Sequence, residues 1–294
     1  MIMSKACAIG FDIGGTNIRA ARISESGVIL EWQAQPTEGE PGLVVKQIAD
    51  LVRLLNDGNV KAIGIGLPGR IDVQNSQILS GGYVDLTGVP LASALAESFD
   101  VPVILDNDCN MALVGEQAVG RARGIANVMM FTIGTGIGGA VFSNGKIFRG
   151  RATAGQLGHL TVDVNGEACL CGRRGCIETT SSGTALGRHI ATAGLNSSTT
   201  IEELLCKSSK GDALASGVLA LWVNPLRAAI DSAVAAFDPE LVLLGGGLGI
   251  AAHQALAKFP ALATWYQCPV EPAELGDRAG VIGAGLSALA KLTP

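Results

Sequence analysis

Ala6-Cys-Ala-Ile-Gly-Phe-Asp12-Ile-Gly14-Gly15-Thr16-Asn17-Ile-Arg19-Ala-Ala-Arg-Ile23 is two apolar runs joined by a glycine pair. Ala6–Ile13 and Ile18–Ile23 read as consecutive short strands, and Val28–Trp32 adds a third after a further glycine. Gly14 and Gly15 let main-chain N–H groups approach an anion without side-chain interference, and Thr16 and Asn17 add neutral donors, so the turn can cradle phosphate. It is not a P-loop, because no Gly-Lys-Ser/Thr follows. An ordinary Gly-Gly hairpin rimmed by Asp12 and Arg19 fits the same letters.

Outward from this hairpin, Pro41 opens a helical pattern with Leu43, Ile48, Leu51, Leu54 and Leu55 on one face. Strand-like Val60–Ile65 and Val103–Leu105 follow, giving an order βββαβαβα. A second block starts with strands at Val128–Ile133, Ala140–Phe142 and Lys146–Phe148. Helices near Thr184–Thr192 and Leu214–Phe237, strand Leu241–Leu244, and helices near Ile250–Lys258 and Val281–Leu289 complete it. The second half repeats the first in outline. Two similar α/β halves joined by a hinge, expected near Gly115–Gly124, imply a ligand cleft between them.

Gly134-Thr135-Gly136-Ile-Gly138-Gly139 occupies the place of the first glycine turn in the second half. It is not a dinucleotide fingerprint, because it leads into a strand where that motif leads into a helix. One strand-Gly-strand turn in each half suggests a phosphate chain held from both sides. Gly245-Gly246-Gly247, at a strand-to-helix junction, offers a third flat surface on which a nucleotide can lie.

At 294 residues the chain is about two domains long, and 48% hydrophobic against 16% charged residues excludes general disorder. A net charge of −5 lacks the basic surface of a nucleic-acid binder. The longest uncharged stretch, Gly124–Gly145, is broken by glycines and asparagines and reads as strand-turn-strand, not as a membrane span, and no other segment competes as an anchor. The start, Met1 to Ala6, lacks the regions of a signal peptide, so a soluble cytoplasmic protein is expected.

His159, Cys169, Cys171 and Cys176 fall within eighteen residues. They form the ligand set of a closed Cys3His zinc site, with Gly172 and Gly175 allowing tight turns around the ion. Buried cysteines beside an unrelated histidine are the plain alternative, but a Cys-x-Cys-x4-Cys spacing in a loop of glycine and arginine is poor core material. A disulfide framework is disfavoured by the odd number of cysteines in this loop. Cys7, Cys109, Cys206 and Cys268 lie elsewhere; for Cys109, next to Asp108, an inert thiol is preferred over an oxidation-sensitive one, and His189 and His253 read as ordinary helix residues.

Asp12–Arg19, Gly134–Gly139, Cys169–Glu178 and Asp238-Pro-Glu-Leu-Val-Leu-Leu-Gly-Gly-Gly together resemble the ROK family (repressors, open reading frames and kinases), within the actin-like ATPase and sugar-kinase superfamily. The resemblance implies an α/β fold of two actin-like (ribonuclease H-like) domains: residues 1–118 plus about 280–294, and a larger domain, 119–279, carrying the zinc loop. It implies an ATP-dependent sugar kinase using Mg2+ and a structural Zn2+, acting at the 6-hydroxyl of a hexose or N-acetylhexosamine. Asp12, Gly14, Gly15, Thr16, Asn17, Arg19, Gly134, Thr135, Gly136, Gly246 and Gly247 then serve the nucleotide.

By the same resemblance Asp108 is the catalytic base, and Gly69, Asn107, Gln156, His159 and Glu178 join it in binding the sugar. The alternative for Asp108 is the N-cap of a helix beginning near Asn110. Gln156 stands where the family pattern has glutamate, and Ser80–Gly88 departs from the family's Asn-Leu-x-Gly loop, with Tyr83 and Asp85 as candidate ligands or plain loop residues. N-acetylmannosamine ranks slightly ahead of glucose, N-acetylglucosamine and allose, since family members with that activity vary at the Gln156 position. A homodimer is expected. The rivals are a sugar-responsive regulator, whose DNA-binding segment would precede Asp12, and a sugar-binding protein with weak or no kinase activity.

Overall fold

The computed structural model describes residues 6–82, 84–260, 265 and 267–292. Tyr83 and Met1 to Lys5 lie outside the described residues. The chain forms two compact units, one of residues 1–124, 147–154 and 277–294, the other of 125–146 and 155–276.

The first unit opens with strands β1 (Cys7–Ile13), β2 (Asn17–Ser24) and β3 (Ile29–Pro36) and helix α1 (Pro41–Leu55). Strand β4 (Val60–Leu67), a small hairpin of β5 (Arg70–Asp72) and β6 (Gln77–Ser80), helix α2 (Leu91–Phe99), strand β7 (Val103–Asn107) and helix α3 (Asp108–Val119) follow. The main sheet runs β3-β2-β1-β4-β7. The α1 face that packs on it is Val44, Ile48, Leu51, Val52 and Leu55. Leu43 and Leu54, expected on that face, are 46% and 59% exposed. They flank the buried stripe, which centres on Ile48, so the helical spacing admits them while the wheel turns them outward.

The second unit comprises β8 (Val128–Ile133), β9 (Ile137–Ser143), β10 (Lys146–Ile147), α4 (Glu178–Ser181), α5 (Gly183–Thr192), α6 (Ile201–Ser209), α7 (Ala213–Phe237), β11 (Leu241–Gly245), α8 (Gly249–Leu256) and β12 (Val270–Pro272). Its sheet runs β10-β9-β8-β11-β12, the order of the first sheet repeated. Long helix α7 crosses this core, burying Leu219, Trp222, Val223, Leu226 and Ile230. Contrary to the expectation that no second segment resembles an anchor, α7 is long and apolar enough to cross a membrane. Its buried stripe and the charges Arg227 and Asp231 mark a core helix.

Helix α9 (Ala279–Ala290) returns to the first unit. It lies unusually close to the sheet and to α3. A Cβ on Gly10 would overlap the carbonyl oxygen of Val281, and one on Gly283 that of Met111. Two backbones in direct contact leave little room for adjustment, so the end of β1 and the start of α3 are held in fixed relation.

Candidate active site

In the first sheet the register places Asp12 opposite Arg19 on β2 and Gly66 on β4, and Gly66 opposite Asp106 on β7. This row sits at the carboxyl ends of the parallel strands, where open α/β sheets present their ligand sites. Beyond it the backbone turns at Gly14–Thr16. Gly14 N–H donates to the Asn17 carbonyl. Thr37, on the loop after β3, grips the turn twice: its Oγ1 donates to Gly14 O at 2.7 Å and its N–H to Thr16 O at 2.9 Å. Gly15 and Thr16 are left exposed at the tip. The turn is therefore rigid at its base and open where an anion would sit.

Arg19 spans two carboxylates, with Nη1 3.4 Å from Asp12 Oδ2 and Nη2 3.0 Å from Asp277 Oδ2. Arg19, expected to serve the nucleotide, thus stands beside Asp12 at the base of the turn. Asp12 keeps 20% of its side chain exposed. Burial raises its carboxyl to about 6, with Arg19 opposing and Asp277 adding to the rise.

Asp108 is the first residue of α3, and the helix is capped by Asn107, whose Oδ1 accepts from Cys109 N at 3.0 Å and Asn110 N at 3.3 Å. The capping role considered for Asp108 thus belongs to its neighbour, one residue earlier. Asn107 Nδ2 donates to Gly69 O at 3.0 Å, so Asn107 and Gly69, both expected at the sugar, brace each other. A cap at Asn107 frees the Asp108 carboxylate. Its Oδ1 accepts from its neighbour's N–H at 2.9 Å and from the Cys109 thiol at 3.4 Å. Burial first, and the nearby Asp12 charge second, push Asp108 up to about 7. A carboxylate with this value can both take and release a proton near neutrality.

Asp106, Asn110 and Arg149 escaped the sequence reading as a group. Asp106 is 3% exposed and accepts from Asn110 Nδ2 at 2.8 Å, and from Nε and Nη2 of Arg149. This pair explains why residues 147–154 go with the first unit, although the strand pattern assigned them to the second. Asp85 closes its own turn by accepting from Thr87 N–H and Oγ1. That is the plain loop role weighed for it.

In the second unit the corresponding turn is Gly134–Gly136. Its carbonyls are held by the start of α5: Gly183 N–H donates to Gly134 O at 2.7 Å, and Thr184 Oγ1 to Thr135 O at 2.9 Å. Glu178 Oε2 accepts from Ile137 N–H at 2.9 Å and lies against Gly136, where a Cβ would come within 2.6 Å of it. Glu178 thus joins the zinc loop to the glycine turn through one oxygen. Gly246 adopts φ +76°, and open space surrounds the Cβ direction of Gly247, leaving a flat, exposed face at the β11–α8 junction.

The metal ligands converge as expected. One donor atom from each of His159, Cys169, Cys171 and Cys176 lies within 4.8 Å of all the others. Cys169 Sγ is 3.7 Å from His159 Nδ1, and Cys171 Sγ is 3.6 Å from Cys176 Sγ. These are the edges of a tetrahedron around a cation bound at about 2.0–2.3 Å, so the set fits Zn2+. Burial and the adjoining thiols push Cys176 up to about 12, so a cation among them is what would let all three ionise as ligands. Gln156 immediately precedes the short turn Leu157–His159, and its side chain has no hydrogen-bond partner among the described residues.

Comparison with known proteins agrees with this arrangement. The chain is 32% identical to a glucokinase of Thermotoga maritima, over 96% of this chain and 97% of that one. It is 34% identical to an N-acetylmannosamine kinase of Yersinia pseudotuberculosis, over 99% and 100%. The crystal structure of a ROK hexokinase from Thermus thermophilus superposes with a TM-score of 0.83 at 31% identity, covering 97% of this chain and 99% of that one. The ROK family model matches residues 8–291. With a match that runs from the second residue of β1 to the residue after α9, the chain belongs to the ROK family.

Proposed function

We infer that this chain transfers the γ-phosphoryl group of ATP to the 6-hydroxyl of a hexose or N-acetylhexosamine, with Asp108 as the base. The observation that carries the reading is Asp108 itself: without an ion-pair partner among the described residues, set at the start of α3, and raised to about 7. The sugar hydroxyl oxygen attacks the γ-phosphorus, the P–O bond to ADP breaks, and the hydroxyl proton passes to Asp108. Asn107 fixes the carboxylate by capping α3 and steadies Gly69 beside the acceptor. Gly15 and Thr16 offer main-chain donors to phosphate oxygens, and Asp12, held by Arg19, is the residue that would hold Mg2+, which neutralises charge on those oxygens when bound.

In the second unit Thr135 and Gly136 offer further N–H groups, and Gly246 and Gly247 a flat face for the nucleotide. Gln156, the second ring nitrogen of His159 and the remaining oxygen of Glu178 are the sugar donors and acceptors there. His159, Cys169, Cys171 and Cys176 would hold Zn2+, which would serve structure by fixing the His159 ring. The curated relatives include kinases of both glucose and N-acetylmannosamine at similar identity, so the 2-substituent is left to experiment.

An assay of ADP release from Mg-ATP across hexoses and 2-acetamido sugars names the substrate. Asp108→Asn should lower turnover by about 10² to 10⁴. Turnover unchanged in that variant removes Asp108 from the mechanism, and no turnover of the wild type with any sugar favours a protein that only binds them.

A further inference from the structure

Asp106 and Asn107, consecutive at the end of β7, pin two different segments. Asn107 holds the carbonyl of Gly69, and Asp106 holds the guanidinium of Arg149. Arg70 directly follows Gly69, and Arg151 comes two residues after Arg149. Both arginines line one open hollow of about 400 Å³ within the first unit, alongside Leu79 and Thr153.

Arg19, Arg22, Arg53, Arg149 and Arg188 each face a carboxylate. The side chains of Arg70 and Arg151 have neither an ion-pair nor a hydrogen-bond partner among the described residues. In a chain with 26 acidic against 21 basic side chains, a pair of uncompensated guanidinium groups in one concavity is a local reversal of sign. Isolated surface arginines are satisfied by water, but two that line one hollow can offer their donors to a single anion together. A guanidinium fork matches phosphate and carboxylate oxygens in pairs, and Thr153, on the same lining, adds a neutral hydroxyl donor.

We propose that this hollow is an anion subsite, in which Arg70, Arg151 and Thr153 hold the phosphate or carboxylate of an acidic sugar derivative. The inference rests on the reading of Asn107 and Asp108 as the acceptor end of the site. Both tethers start there, so the group held belongs to the acceptor-side ligand, whereas the nucleotide phosphates go to the Gly15–Thr16 tip. Acidic sugars then bind as acceptors or as competitors of neutral ones.

Calorimetric titration of the full chain with D-glucose 6-phosphate, D-glucose 1-phosphate, D-glucuronate, D-glucose and inorganic phosphate tests this. Arg70→Gln, Arg151→Gln and the double variant are compared with Arg53→Gln, which alters an arginine paired with Asp50 on the surface. The double variant should lose at least about tenfold in affinity for an acidic sugar, Arg53→Gln should lose none, and added salt should erase the difference. Equal loss for inorganic phosphate, bound as tightly as the sugar phosphates, assigns the subsite to free phosphate. Affinities for every acidic probe that are the same in wild type and double variant overturn the proposal. ADP release by the wild type with neutral sugars, measured alongside, tests the kinase reading separately.

Discussion

The two glycine turns are built on the same plan and differ in charge. Ile13 pairs with Ile18 at the end of β1, and Ile133 with Ile137 at the end of β8, so Asp12 and Thr132 occupy equivalent places one residue earlier. Both face a glycine on the next parallel strand, Gly66 in one case and Gly245 in the other. The first copy places a carboxylate at this position and a second at Asp108. The second copy is neutral there and puts its acidic residue, Glu178, behind the turn as a brace. One scaffold thus yields an acidic end and, at the equivalent register, a neutral one, and in the proposed reaction the acidic end is where the proton and the cation would be handled.

The comparison breaks most sharply at Asp12. Asp12→Asn should lower kcat/KM by about 10² to 10³, since charge stabilisation at the phosphates is lost. Thr132→Val, its counterpart, should cost less than about tenfold; steady-state kinetics of the two variants, side by side, checks this. Next in size is the zinc loop, which the first copy lacks. Cys176→Ser should release the metal, with zinc affinity lower by at least about 10²-fold, and raise KM for the sugar more than it lowers kcat; metal analysis and kinetics provide the readouts. The smallest effects separate the turns themselves. Gly136→Ala drives a methyl onto Glu178 and should cost about 1–3 kcal/mol of stability by thermal melting. Gly14→Ala, with only the Asn17 carbonyl at 3.2 Å, should cost less.

Much of this difference was legible in the sequence, for reasons that are local. Strands alternate with glycine turns at short range, and four metal ligands lie within one loop, so period and spacing sufficed. Partners chosen by the tertiary fold were not legible. Thr37 carries no motif, yet it staples the first turn from the far side of β3. Arg149 pairs with Asp106 across 43 residues. The cap of α3 fell on Asn107 because an Asn-Asp pair offers two capping residues, and only the backbone geometry selects between them. The β5–β6 hairpin is too short to show a period.

The central claim is that Asp108 is the proton-accepting carboxylate, and that the neighbouring charge of Asp12 helps to raise it. Carboxyl carbon NMR titration of the ligand-free protein, with Asp108→Asn for assignment, addresses it whichever sugar is the acceptor. Asp108 should titrate near 7, well above the ordinary 3.8, and Asp12→Asn should move that midpoint down by removing a like charge. Because the ionised form is the base, activity should then rise with pH through the same midpoint. A midpoint close to 3.8 that ignores the Asp12 substitution would contradict the account.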